Sequence, residues 1–252
     1  MRFKGKAALV TGAARGVGMA TAEILARDGA DLALNDVNAA ALAETAEALR
    51  RHGGAVTIHA GSVTDPDFVT RMAAEATAAH GKIDLLANNA GGGPPGTPWA
   101  EFAESNFADF RAIFEMNFFS QAMVLHALLP GMLARGYGKI VCVSSISAML
   151  GQEAGSAYAA GKMALHALVS SVAKEVGRRG VNINAAILGN PPHPSRTPGR
   201  QDYLNRLSHL DRVGRLEEFG KAIAFLLSDD ASYMSGAAVP IEGGLLTPRL
   251  NE

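Results

Sequence analysis

A chain of 252 residues, 48% hydrophobic and 19% charged, can bury a sizeable core, which excludes an intrinsically disordered protein. Its net charge of −1 gives no electrostatic footprint for nucleic acid or an anionic membrane surface. The lone cysteine, Cys142, rules out an intramolecular disulfide, and a reducing cytoplasm is the expected location.

The first six residues lead into a short apolar strand without a signal-peptide hydrophobic region. No apolar run approaches the ~18 residues of a membrane span, so no membrane partner is expected. That strand, Ala7-Ala8-Leu9-Val10, ends at Thr11-Gly12 and reads as buried on both faces. The turn Gly12-Ala13-Ala14-Arg15-Gly16-Val17-Gly18 opens a helix over about residues 19–28, and Asp31-Leu32-Ala33-Leu34-Asn35 is the second strand. Strand, glycine turn, helix, strand is a βαβ unit. Its helix N-terminus offers free N–H groups and a positive dipole end to a pyrophosphate, and the glycines permit close approach. The spacing is T-G-x-x-x-G-x-G rather than G-x-G-x-x-G, and a purely structural glycine turn is the alternative. Asp36, just past the second strand, stands where a carboxylate meets an adenosine ribose and repels a 2′-phosphate, which favours NAD over NADP. Arg15 pulls the other way.

A helix over 39–51, a strand at 55–60, a helix over 67–80 and a strand at 83–87 follow, ending in Asn88-Asn89-Ala90-Gly91. Residues 107–133 are largely helical, and 139–144 form a fifth strand that holds Cys142 as a buried structural thiol. A sixth strand at 181–187 and a seventh at 237–241 complete the alternation. It predicts an α/β fold, a doubly wound, mostly parallel seven-stranded sheet with helices on both faces, Rossmann-like. No repeat, linker or low-complexity tract divides residues 1–252, so one domain is expected. His52, His59, His80, His126, His166 and His209 lack metal-ligand spacing, and no metal is expected.

Between the fifth and sixth strands, Tyr158-Ala159-Ala160-Gly161-Lys162 sets a phenol and an ammonium one helical turn apart on one face. A phenol's ordinary pKa of about 10 is too high for proton transfer at neutral pH. A neighbouring cation lowers it, so the pair suits acid–base work, although Tyr and Lys at this spacing also arise by chance. Gly161 inside the helix costs ~1 kcal/mol relative to Ala, with no reason visible in the sequence.

Thr11-Gly12 through Gly18, Asn88-Asn89-Ala90-Gly91, Asn117, Ser145, Tyr158 with Lys162, and the C-terminal Arg212-Val213-Gly214-Arg215, Ser232-Tyr233-Met234-Ser235-Gly236 and Glu242-Gly243-Gly244 stand in order. With them the chain resembles the short-chain dehydrogenase/reductase family, in its compact single-domain branch. The resemblance implies an NAD(H)-dependent oxidoreductase that interconverts a small-molecule secondary alcohol and a ketone. It implies that Tyr158 is the general acid/base and that Lys162 lowers its pKa and holds the nicotinamide ribose. Ser145 would hold the substrate oxygen, and Asn117 would anchor a water joining Lys162 to solvent. The implied cofactor contacts are Gly12, Arg15, Gly16, Val17, Gly18, Asp36, Ser62, Val63, Asn89, Ala90, Gly91 and Gly189, with Tyr158 and Lys162. Three departures stand out: Ser62 replaces the usual Asp, Leu188-Gly189 replaces Pro-Gly, and His193 replaces the usual Thr. An NADPH-dependent 3-oxoacyl or ketone reductase and a non-catalytic dinucleotide-binding sensor stay open as alternatives.

A homotetramer is also implied, with Leu226, Leu227, the strand ending at Ile241, and Phe118 and Phe119 in regions resembling the family's subunit contacts. Residues 190–211 are proline-rich and then helical in spacing from 201 to 207. At the carboxyl edge of the sheet they are expected to form a substrate lid. His193, Arg196 and Arg200 there are available to a polar or carboxylated substrate.

Overall fold

Short apolar runs become strands here because both faces of the sheet are covered. The computed structural model describes residues 1–94, 96–193 and 196–248. Its strands are β1 Ala7–Thr11, β2 Asp31–Asp36, β3 Val56–Ala60, β4 Leu85–Asn88, β5 Gly138–Ser145, β6 Val181–Leu188 and β7 Ala238–Ile241. They form one sheet in the order β3-β2-β1-β4-β5-β6-β7, and every pairing is parallel. Alternation within each strand divides the core: Ala8, Val10, Leu32, Leu34, Val141 and Val143 face one side. Ala7, Leu9, Ala33, Ile140 and Cys142 face the other.

The helices are α1 Gly16–Arg27, α2 Ala39–Arg50, α3 Pro66–His80, α4 Phe107–Phe114, α5 Ser120–Arg135, α6 Ser147–Leu150, α7 Ser156–Val176, α8 Pro198–Leu207 and α9 Leu216–Leu226. Residues of α1, α2 and α9 fill the first core and those of α3, α5 and α7 the second. The strand order reverses between β1 and β4, and their diverging carboxyl ends leave the crevice where ligands of such sheets bind.

Four expectations are corrected. First, α1 starts at Gly16, not near residue 19, because the last glycines of the turn already have helical hydrogen bonding. Second, α8 starts at Pro198, not at 201: proline suits the first helical position, and the Thr197 hydroxyl accepts from the Arg200 N–H at 3.4 Å. Third, the Leu226 and Leu227 side chains are buried within the chain's own core. Fourth, the continuous helical stretch Phe107–Arg135 is long and apolar enough, by length and composition, to cross a membrane. It packs against the sheet through Val124, Leu125, Leu128 and Met132 instead, as a core helix does. Between α4 and α5 the backbone widens to a π-helical segment, Glu115–Phe119.

Candidate active site

The glycine turn after β1 is a cradle. Gly12 and Gly16 have φ of +65° and +61°, a region that side chains other than glycine's rarely adopt. A Cβ on Gly12 would lie 2.8 Å from the Asn89 amide nitrogen, and one on Gly18 would strike the Gly12 carbonyl. The direction of a Gly16 Cβ meets nothing within 4 Å. At the N-terminus of α1 no side chain caps the helix and no acid occupies the first turn. Uncapped N–H groups beside glycines fit a dinucleotide pyrophosphate. Val17 continues this first turn, half-buried.

Asp36, at the end of β2, accepts from the Ala14 N–H at 3.1 Å and the Asn38 N–H at 3.0 Å. The glycine turn therefore rests on the carboxylate, and exposed Arg15 is the next residue along. Ser62 lies two residues beyond Ala60, which pairs with Asp36. Its hydroxyl contacts Thr64 Oγ1 at 2.7 Å, and Val63 is buried. Across the crevice, Asn89 donates its amide to the Thr11 and Gly12 carbonyls at 3.0 and 3.3 Å. The Thr11 hydroxyl accepts the N–H groups of Asn89 and Ala90 at 2.9 and 3.0 Å. Thr11, given no role from sequence, is thus the peg that joins the two turns; its place in the T-G motif was the available signal.

A second cluster faces the ends of β4 and β5. Ser145 is the last residue of β5 and pairs with Leu188, so Gly189 lies beside it across the strands. A Cβ on Gly189 would lie 2.7 Å from the Glu242 Cα; close packing of β6 on the strand-β7 turn explains this glycine. The Ser145 hydroxyl accepts the Ser147 N–H at 3.1 Å, and Tyr158, in the first turns of α7, is close enough for Ser145 to lower its pKa. Lys162, one turn on, is buried, and its ammonium donates to the Val143 carbonyl at 2.8 Å and lies 5.8 Å from the Tyr158 ring centre.

Burial raises the Tyr158 pKa, and Ser145 opposes the rise. The Lys162 ammonium is turned to the Val143 carbonyl while staying beside the Tyr158 ring. Burial holds Lys162 itself at about 8. Cys142 is fully buried with its thiol pushed up to about 12, an inert core residue.

Asn117 sits in the π-helical segment, which turns its side chain inward. Its amide oxygen accepts the Gly92 N–H at 2.9 Å, and its nitrogen donates to the carbonyls of Gly92 and Ile113, each at 2.7 Å. A Cβ on Gly91 would lie 2.8 Å from the Lys162 ammonium and 2.9 Å from the Asn117 oxygen. Asn117, Gly91 and Lys162 therefore meet at one point. Gln121 adds a brace that sequence reasoning missed: its amide donates to the Val143 and Ala90 carbonyls at 3.1 and 3.3 Å. Its inward direction depends on the π-helical register, which no motif announces. Arg196 is bonded to Gln201 and Arg200 lies over the Tyr203 ring, so both are engaged within α8. Among the described residues no cluster of His, Cys, Asp or Glu could hold a metal ion.

The family model described as enoyl-(acyl carrier protein) reductase matches residues 12–246. A 3-oxoacyl-[acyl-carrier-protein] reductase of Thermotoga maritima is 33% identical, over 98% of this chain and all of that protein. A cis-4-hydroxycyclohexanecarboxylate dehydrogenase of Sinomonas cyclohexanicum is 36% identical, over 96% of this chain and 97% of that protein. The solved structure of an NAD+-bound xylitol dehydrogenase superposes with a TM-score of 0.91 at 29% identity, over 97% of this chain and all of that one. The chain belongs to the short-chain dehydrogenase/reductase family, as an NAD(P)-dependent alcohol dehydrogenase or ketone reductase.

Proposed function

We propose that the protein is an NAD(H)-dependent enzyme that interconverts a secondary alcohol and a ketone, with Tyr158 as general acid/base. The observation that carries this is the meeting of Tyr158, Ser145 and buried Lys162, with the Lys162 ammonium against Gly91 in the turn that Thr11 pegs to the glycine cradle. When bound, the nicotinamide supplies hydride exchange at the carbinol carbon. The protein's groups manage the oxygen. Ser145 Oγ holds it, and the Tyr158 phenolate takes the alcohol proton in oxidation, while the Tyr158 phenol returns it to the oxygen in reduction. Lys162 keeps a positive charge near the phenolate at neutral pH, and Asn117 with Gly91 fixes the wall around that charge. Oxidation is therefore favoured by rising pH.

Asp36 supports NAD: its carboxylate is fixed by two backbone N–H groups and repels a 2′-phosphate. The NAD+-bound xylitol dehydrogenase supports the same choice. Arg15 favours the runner-up, an NADPH-dependent ketone or 3-oxoacyl reductase, because it is exposed one residue beyond the Ala14 contact to Asp36. Residues 190–211, of which 194 and 195 lie outside the described residues, belong to this reading as a lid. We also infer a homotetramer. An apolar groove of about 1150 Å³ between α3, α5 and α7 and the exposed ring of Phe119 support self-association; light scattering at micromolar concentration tests it. The function is tested by a panel of secondary alcohols and ketones, followed by absorbance with NADH and NADPH in both directions. Faster turnover with NADPH would replace the NAD reading, and no turnover with either would remove the enzymatic one.

A further inference from the structure

Trp99 is the single tryptophan of the chain, and it lies outside the core. Its ring centre is 5.5 Å from that of Tyr158, with the planes tilted by 58°, and 41% of the residue is exposed. Indoles are among the largest apolar groups a core can use. This one instead stays partly exposed while it packs against the phenol ring. Its seat depends on Gly93: a Cβ there would lie 2.9 Å from the indole nitrogen. Gly93 does not have a positive φ, so backbone conformation does not call for glycine at that position. Close approach of the indole does.

On the other side, α6 begins two residues past Ser145 and is tied to it by the Ser147 N–H, 3.1 Å from the Ser145 hydroxyl. That helix exposes Met149 and Leu150. Of these apolar groups the indole of Trp99 is the one in contact distance of the phenol ring.

We infer that Trp99 is the surface against which the substrate's carbon body packs, and that the substrate carries its hydroxyl or ketone on an apolar ring. A rigid ring presents a row of C–H groups to an aromatic face and loses no rotor freedom on docking, whereas an open chain of equal carbon count does. The inference rests on the proposed alcohol–ketone activity. It is tested by reducing cyclohexanone and 2-hexanone with NADH in the wild type, Trp99→Ala and Gly93→Ala. Separately, Trp99 emission is titrated with cyclohexanone in the presence of NAD+, a pair that cannot react.

The wild type should favour cyclohexanone by about tenfold or more in kcat/KM, the scale at which a pocket resolves small apolar differences. Trp99→Ala should bring the two ketones within about threefold through a higher KM for the ring. Gly93→Ala, which moves the indole, should do the same in part. Cyclohexanone should change the Trp99 emission of the wild type. An equal preference in the wild type, a ratio unchanged in Trp99→Ala, or an emission that cyclohexanone leaves unmoved would overturn the inference. Absence of all ketone reduction would sink the proposed activity, and the emission titration would still decide whether Trp99 contacts the ring.

Discussion

A Cβ placed on Gly161 would lie 3.1 Å from the Asn117 Cβ, so α7 and the π-helical segment touch one residue before Lys162. The contact explains a glycine that helix propensity disfavours. Gly161→Ala gains ~1 kcal/mol of propensity but presses on the residue that holds Gly92. We expect turnover to fall about tenfold, because small misplacements near reacting groups are amplified. The melting temperature should move by no more than about 3 °C. Wild-type turnover in Gly161→Ala would show that the wall yields without moving Asn117.

Asp36→Ala should narrow the preference for NADH over NADPH, read as a ratio of dissociation constants. The same change frees the Ala14 and Asn38 N–H groups, so binding of both cofactors should weaken. Asp36→Asn separates the two effects, since its amide oxygen can still accept one of those bonds without the charge. A preference unchanged in both variants would assign selectivity to another residue, Arg15 first.

Burial holds Lys162 at about 8, below the 10.5 of an open chain. Between these values the unfolded chain binds the proton that the folded chain has lost, so stability rises with pH across the window. Below pH 8 the buried ammonium is a cost. Lys162→Met keeps the stem, and the Val143 carbonyl keeps its Gln121 donor. In denaturant titrations the variant should be at least as stable as the wild type at pH 7, with the difference shrinking toward pH 10, while turnover collapses. A variant less stable at pH 7 than at pH 10, relative to wild type, would contradict this account of the charge.

The βαβ unit and the sheet were legible because the buried strands carry short apolar runs and the T-G-x-x-x-G-x-G turn stands at the carboxyl end of β1. Tyr158 and Lys162 could be placed on one helix face because helix periodicity is a local rule, whereas Ser145 was picked over Ser144 only by the resemblance to the family. Three things were not legible. The π-helical widening at Asn117 changes register without a sequence mark, which hid Gln121. Trp99 reaches Tyr158 across 59 positions of chain through a loop with no periodicity. The bond of the Lys162 ammonium to the Val143 carbonyl follows from packing around β5, which helix spacing does not announce.

Closure of the segment after β6 is part of the proposal. There α8 buries only Leu204 among its residues and leaves a cavity of about 200 Å³ against Phe219 and Ile241. A segment so lightly packed opens at low cost. Cofactor with a turned-over substrate should slow amide exchange in peptides covering 198–207 more than in α2. Equal exchange in the bound and free enzyme would leave α8 a surface helix without a closing role.

The central claim is that Tyr158 moves the proton, and Tyr158→Phe tests it most directly. Turnover of the best alcohol or ketone and the NADH dissociation constant should be measured on the same preparation. The account predicts a loss of at least about a hundredfold in kcat, the usual contribution of a positioned acid or base. NADH affinity should stay within about threefold, because the phenol acts on the substrate oxygen. A kcat within a few-fold of wild type, with NADH bound normally, would contradict the account and take Tyr158 out of the mechanism.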